Sequence, residues 1–328
     1  MRHKKTTITI MLCMILTSVV AQGPNHTGTY YQNADGKAGA ALKTAMCGII
    51  VGHTQRSYSN LWTDFKTTDK RSDGKVWDIY SGISNFTFVT DQAGSYSKEN
   101  DVYNREHSTP ASWFNDNVPM YTDLFNLYPT DGYVNNRRGN YPYGETDSPT
   151  YKSSGSFSKL GPCNSDIGYT GVVFEPNDEY KGDLARSYFY MATCYENKIQ
   201  GWTSPMHANN SYPAYKDWAI NMLLRWAKED PVSQKEIDRN NAIYSIQKNR
   251  NPYIDYPGLE QYVWGTDKDK VFSYDNYESS FTGIEYISVK TQMGNVSVYN
   301  LNGQYVGGST DGLVKGVYIV SGKKVVIK

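Results

Sequence analysis

The chain has 328 residues, enough for one large domain or two, and its 33 basic and 33 acidic side chains give a formal net charge of zero. The charges are unevenly spread, because residues 22–281 hold 25 basic against 31 acidic groups, a balance of −6. Net charge of that sign excludes long-range attraction of a polyanion, so any phosphate binding must be local.

Residues 1–21 read as a secretory leader, with Arg2, Lys4 and Lys5 ahead of an apolar run over 8–20 and Val19-Val20-Ala21 before Gln22 as a cleavage site. The run is too short for a membrane span, and the mature chain is expected to be exported and to carry no span of its own. Cys13 leaves with the leader, and Cys47, Cys163 and Cys194 remain. An odd count allows one disulfide with one free thiol, or three small buried thiols. His26, His53 and His207 are scattered and no Cys-x-x-Cys or His-x-x-x-His spacing occurs, which argues against structural zinc. Gly-rich phosphate loops are also absent.

Residues 22–37 are polar and loose, and apolar residues at three-to-four spacing predict a helix over 37–53. A short strand is expected over 86–89. The segment 103–107 is expected to be the strand that delivers His107, with Pro110 ending it and Asp131-Gly132 making a turn. Residues 144–169, rich in Gly, Ser and Pro, read as a long surface loop. A helix is expected to begin near Asp183 and to present Leu184, Tyr188, Met191 and Tyr195 on one face. Another is expected over 217–228, with Trp218, Met222 and Trp226 in register. Ser233 and Glu236 form a capping-box pattern opening a further helix, which Pro252 limits to about Asn249. Beyond 282 the pattern becomes strands over 296–301, 304–306, 317–320 and 325–327, with turns at Asn302-Gly303 and Ser321-Gly322.

The chemistry concentrates in 105–140. His107 has a carboxylate neighbour, Glu106, and an imidazole is the side chain that takes a proton from water near neutral pH. A hard divalent cation prefers oxygen ligands and is often held by one or two protein groups with waters, which Glu106 and Asn135 could supply. Adjacent side chains on a strand point to opposite faces, so His107 reads as a base and not as a second ligand beside Glu106. A lone Glu-His pair would by itself be an ordinary surface or core histidine. Arg137, Arg138 and Arg186 are candidates for gripping phosphate through guanidinium forks, although arginines on a solvated face have the same appearance. Asp123, Asp131, Glu175 and Asp183 read more simply as capping or turn residues.

Several segments in one order resemble the endonuclease I family, secreted non-specific nucleases of the His-Me finger group. They are Glu106-His107-Ser108-x-Pro110-x-Ser112-Trp113-Phe114, then Asp123-Leu124-x-Asn126-Leu127-x-Pro129, then Val134-Asn135-x-x-Arg138-x-Asn140. Lys181 to Met191 resembles the family's helix, and 239–247 with 251–256 its C-terminal end, so the resemblance runs from roughly residue 38 to 265. It implies an α+β fold: a mostly helical nuclease domain, 22–270, around a ββα-metal core in which His107 is the general base and Glu106 and Asn135 hold Mg²⁺, with Ca²⁺ or Mn²⁺ as alternatives. Among Asn135, Asn136 and Asn140 only the family register selects Asn135. The substrate implied is DNA, with RNA as a second one, cut to leave 5′-phosphates. Apart from the resemblance, the chain is expected to be a monomer. Periplasmic members carry more cysteines and an arginine-bearing insert between base and asparagine. That insert is shorter here, so no transition-state arginine is assigned.

The end of the chain, Leu313 to Val320 and Lys323 to Lys328, resembles the C-terminal sorting domain of the type IX secretion system, implying an Ig-like all-β domain over 282–328, recognised by that machinery. The rival reading is a non-catalytic or carbohydrate-binding cell-surface protein, in which the 29 tyrosines and seven tryptophans stack on sugars. Chelator-sensitive degradation of plasmid separates the two.

Overall fold

Residues 23–279, 298–300, 304–308, 313, 316–320 and 323–327 are described by the computed structural model. The expected leader, 1–21, and the turns expected at 302–303 and 321–322 lie outside them.

Helix α1 (Gly39–Ile50) follows the predicted spacing and buries Leu42, Met46 and Ile50. Lys43 is buried too, its ammonium 3.1 Å from Glu196. Helix α2 (Leu61–Thr68) comes next. Residues 86–89 form no strand. Val89 takes a left-handed φ of 75° that breaks the extension, while Phe86 and Phe88 turn their rings onto Tyr103.

Strand β1 (Tyr103–His107) pairs antiparallel with β2 (Leu127–Asp131), Tyr103 opposite Asp131 and His107 opposite Leu127. The pairing is extended beyond His107 by Asn126, whose carbonyl accepts from Ser108 N at 2.8 Å and whose side chain accepts from Thr109 N at 2.8 Å. Helix α3 (Gly132–Arg138) leaves β2 directly. The Asp131 carboxylate caps it by accepting from Tyr133 N and Val134 N. A side chain at Gly132 would meet Asn104 Nδ2 at 3.0 Å and the Tyr96 ring at 3.2 Å, so glycine lets the helix start against β1. This is a β-β-α unit.

The segment expected as a surface loop contains two strands. β3 (Tyr151–Lys152), β4 (Lys159–Pro162) and β5 (Val172–Glu175) make a three-stranded antiparallel sheet in that order. Gly155 lies in the turn between β3 and β4, and Gly161 and Pro162 end the central strand β4, a composition that does not distinguish sheet from loop.

Helix α4 (Asp178–Cys194) begins earlier than expected, because Asn177 and not Asp183 is the cap, its side chain accepting from Glu179 N. It is buried from Tyr180 to Cys194 and is the axis of the molecule's helical part, packing on α1, on α6 (Asp217–Glu229) and on α8 (Pro252–Asp255). A Cβ on Gly182 would fall 2.0 Å from the Asp230 carbonyl, so glycine permits the close approach of α4 to the end of α6. Short helices α5 (Glu196–Ile199) and α9 (Leu259–Val263) complete the packing. Helix α7 (Gln234–Gln247) opens with the expected capping box, and its buried face is polar: Glu236, Arg239, Asn240 and Gln247 surround Ile243. Arg239 donates to the carbonyls of Leu124 and Leu127 at 2.9 and 2.7 Å, which pins the entry to β2.

At the C-terminal end β6 (Val298–Asn300), β7 (Tyr305–Gly307), β8 (Gly316–Val320) and β9 (Lys323–Ile327) form one antiparallel sheet, ordered β7-β6-β8-β9. The strands fall where the alternation put them. A second layer, which a sandwich requires, is not seen among the described residues. Helices around small antiparallel sheets make the fold α+β, and among the described residues no helix is long and apolar enough to cross a membrane.

Candidate active site

His107 and Glu106 lie at the C-terminal end of β1, both buried. Strand alternation sends them to opposite sides. The imidazole is stacked on Tyr121, ring centroids 4.7 Å apart, with Tyr58 beyond at 6.2 Å and nearly parallel. Its Nε2 lies 3.0 Å from the carbonyl oxygen of Tyr121. A carbonyl only accepts, so Nε2 carries the proton and donates, leaving Nδ1 with its lone pair. Among the described residues nothing hydrogen-bonds Nδ1. Burial pushes the imidazole pKa from 6.5 down to about 4, opposed by the Tyr121 carbonyl and by the charge of Asp116. His107 is thus neutral at pH 7, the form that accepts a proton.

Glu106 faces Tyr80 and Arg138. Its Oε1 accepts from the Tyr80 hydroxyl at 2.9 Å and from Arg138 Nη1 at 2.6 Å. Among the described residues no side chain donates to its Oε2. Burial raises the carboxyl pKa and the Arg138 guanidinium opposes the shift. Tyr80 in turn shares a 2.6 Å hydrogen bond with Tyr143, over whose ring the Arg138 guanidinium sits at 4.8 Å. Arg138 also donates to the carbonyls of His107 and Ser108, at 2.9 and 2.7 Å. Tyr188 of α4 adds a bond to Ser108 O at 2.8 Å. The end of β1 is therefore held from α3 and α4 through its backbone.

Asn135 is on α3, half-buried, and its side chain bonds to no described residue. It stands one helical turn before Arg138, hence on the side of the helix that meets Glu106. A free carboxylate oxygen and a free amide on facing elements suit a divalent ion that keeps several waters, so the residues present fit the implied cation.

The three arginines separate. Arg137 is exposed, its guanidinium hydrogen-bonded to the Tyr133 hydroxyl at 2.7 Å and lying over that ring. Arg138 and Arg186 are not available to phosphate. Arg138 is fully buried against Glu106 and two carbonyls. Arg186 is buried in a two-pronged pair with Glu236, at 2.5 and 2.9 Å, and reaches the Asp230 carbonyl at 2.9 Å. Sequence does not distinguish a guanidinium that faces solvent from one that neutralises a buried carboxylate. Glu175 sits at the end of β5 and pairs with Lys181 at 3.1 Å, while Asp183 lies inside α4 near Lys235.

A second cluster was hidden in the sequence. His53 Nε2 lies 3.5 Å from Asp123 Oδ2, and Cys194 completes a group whose ligand atoms are within 4.8 Å of one another. Asp123 is already occupied there, accepting from Tyr190, Tyr195, Phe125 N and Gln247. It reads as the hub of a buried hydrogen-bond network. Cys47, Cys163 and Cys194 are all free thiols. Two clefts of about 300 and 370 Å³ are lined by other residues than Glu106 and His107, and the chemistry of these side chains outweighs concavity in locating the site.

Residues 38–258 match the sequence pattern of the family described as Endonuclease I. The chain is 36% identical over 258 residues to an extracellular ribonuclease of Bacillus amyloliquefaciens, covering 76% of this chain and 82% of the relative. It is 31% identical over 133 residues to an endonuclease-1 of Buchnera aphidicola subsp. Baizongia pistaciae, covering 40% and 46%. It is 25% identical over 137 residues to a periplasmic deoxyribonuclease of Aeromonas hydrophila, covering 42% and 48%.

Proposed function

Since the chain belongs to the endonuclease I family and is a nuclease, we propose that it is exported and hydrolyses phosphodiester bonds of DNA and RNA with His107 as general base and Glu106 and Asn135 as ligands of one Mg²⁺. The observation that carries this reading is the tautomer of His107: the Tyr121 carbonyl fixes the proton on Nε2 and leaves a neutral Nδ1 lone pair on a clamped strand. That nitrogen takes the proton of the attacking water. When bound, the cation neutralises charge on the phosphate and on the leaving oxygen. Tyr121 and Tyr58 stack beside the ring, and the Arg138 guanidinium favours the ionised form of Glu106 against the effect of burial. Arg137 is the phosphate-gripping arginine of the original three that this reading retains.

RNA is a substrate on the same footing as DNA. The Bacillus relative, which the chain matches over most of both lengths, is named a ribonuclease, while matches named for DNA cover less. Extracellular and periplasmic relatives support export, and the resemblances in the sequence carry the rest of the reading, a leader over 1–21, a nuclease domain over 22–270 and a type IX sorting tail over 282–328. The expected products carry 5′-phosphates, released by a monomer.

The test is a gel assay on plasmid DNA and on structured RNA, with Mg²⁺ and with EDTA. His107→Ala is expected to lower the rate at least ~100-fold while the far-UV spectrum and thermal midpoint are kept. An undiminished rate in that variant rejects the mechanism, and survival of both substrates in Mg²⁺ rejects the assignment.

A further inference from the structure

We infer that Arg105, held between Tyr58 and Trp62, forms a binding subsite for a backbone phosphate of the nucleic acid on the His107 side of β1. This inference rests on the nuclease reading above and adds a residue to it. Arg105 and His107 are two apart on β1, so alternation puts them on one face, opposite Glu106. The same aromatic ring serves both: the Arg105 guanidinium lies 3.4 Å over Tyr58, and Tyr58 is stacked parallel to His107.

Of the nine arginines among the described residues, seven are paired with a carboxylate: Arg56, Arg71, Arg138, Arg186, Arg225, Arg239 and Arg250. The two that are not, Arg105 and Arg137, both belong to the β-β-α unit. Arg105 is half-buried, and it spends one nitrogen on the Tyr58 carbonyl at 2.7 Å. Nε and Nη2 have no carboxylate or backbone acceptor among the described residues. A guanidinium taken partly out of water without a counter-charge is offset by the faces of Tyr58 and Trp62, the latter at 4.3 Å. The stack also fixes the fork in one orientation, so little freedom is lost when it meets a planar pair of phosphate oxygens. In a region with a balance of −6, an unpaired, pre-oriented cation beside the general base is the local attraction that net charge does not supply.

The experiment uses the full chain. Binding of a fluorescent single-stranded DNA or RNA oligomer is measured by anisotropy in the His107→Ala background over a salt series, and KM and kcat are measured in the otherwise native protein. Arg105→Ala is expected to weaken binding about tenfold and to reduce the slope of log K against log salt by about 0.7. Its KM should rise more than its kcat falls. Arg105→Lys should restore the slope without the full affinity, and Arg71→Ala, the same charge change at an exposed pair with Asp73, should leave both unchanged. An unchanged slope and KM in a folded Arg105→Ala variant overturns the subsite while leaving the nuclease reading intact. Equal losses in Arg105→Ala and Arg71→Ala also overturn it, because the effect is then general charge. If the native protein neither binds nor cuts the oligomer, the nuclease reading itself fails and this inference with it.

Discussion

Arg138 Nη1 stands 2.6 Å from Glu106 Oε1 and 2.9 Å from the His107 carbonyl, so one guanidinium ties the base's backbone to the carboxylate beside it. Position 138 therefore couples stability to activity. Arg138→Ala leaves Glu106 buried without its cation, takes the side-chain donor from the His107 carbonyl and leaves the Ser108 carbonyl with Tyr188 alone. The expected cost is about 3–5 kcal/mol, read from denaturant midpoints, together with a higher Mg²⁺ requirement. Lysine has one nitrogen to serve three acceptors and should recover less than half of the loss. A fully stable Arg138→Ala protein would show that the clamp is not what holds β1.

The pH profile tests the environment of His107. Its folded pKa of about 4 means that protonation, which removes the base, occurs only below that value. The rate kcat/KM should rise as pH increases through about 4 and be level by pH 6, on the acid side. An acid limb near 6.5 instead would mean that the imidazole is solvated and that the Tyr58 and Tyr121 stack does not shield it in solution.

How much of this was legible beforehand depends on the range of the forces involved. β1, α1, α6 and the capping box at Ser233 follow from local periodicity and cap chemistry, and the structure forms them at those places. Local signals failed where a distant neighbour decides. Asn177 takes the cap expected of Asp183 because α4 extends one exposed polar turn, Asp178 and Glu179, ahead of its buried part, which leaves Asp183 inside the helix. The short strands of 151–162 exist only because β5 pairs with β4. At the site, the Glu106-His107 pair was readable. The Tyr121 carbonyl, Tyr80 and Tyr58 were not, since each comes from a segment whose contact with β1 is made in three dimensions. Arg105 had a signal that was available: two residues from His107 on a strand means one face.

Arg137 and Arg186 should separate by what each mutation changes. Arg137→Ala removes an exposed cation from α3 and should raise KM a fewfold at low salt with little change in unfolding midpoint. Arg186→Ala strands the buried Glu236 carboxylate and should cost about 3–5 kcal/mol, with KM of the remaining folded enzyme unchanged. Steady-state kinetics at two salt concentrations, alongside urea unfolding, make the comparison. The reverse pattern would put Arg186, and not Arg137, in contact with substrate.

His207 gives the fold an acid sensitivity that is separate from the chemistry. It is 1% exposed and enclosed by Trp113, Trp202 and Tyr215, and among the described residues no side chain hydrogen-bonds its ring nitrogens. Burial lowers its pKa from 6.5 to about 4. Between those values the unfolded chain binds a proton that the folded protein does not. Stability is therefore complete above about 6.5 and falls as pH drops toward 4, by roughly 3 kcal/mol for this residue. His107 adds a loss of the same sign. His207→Phe fills the same aromatic cage without a titrating group, so its unfolding free energy should be less dependent on pH over 4–6.5 while its rate on plasmid is unchanged. Urea midpoints at pH 7 and pH 4.5 decide the matter, and an equal drop in both proteins would assign the acid sensitivity to other groups.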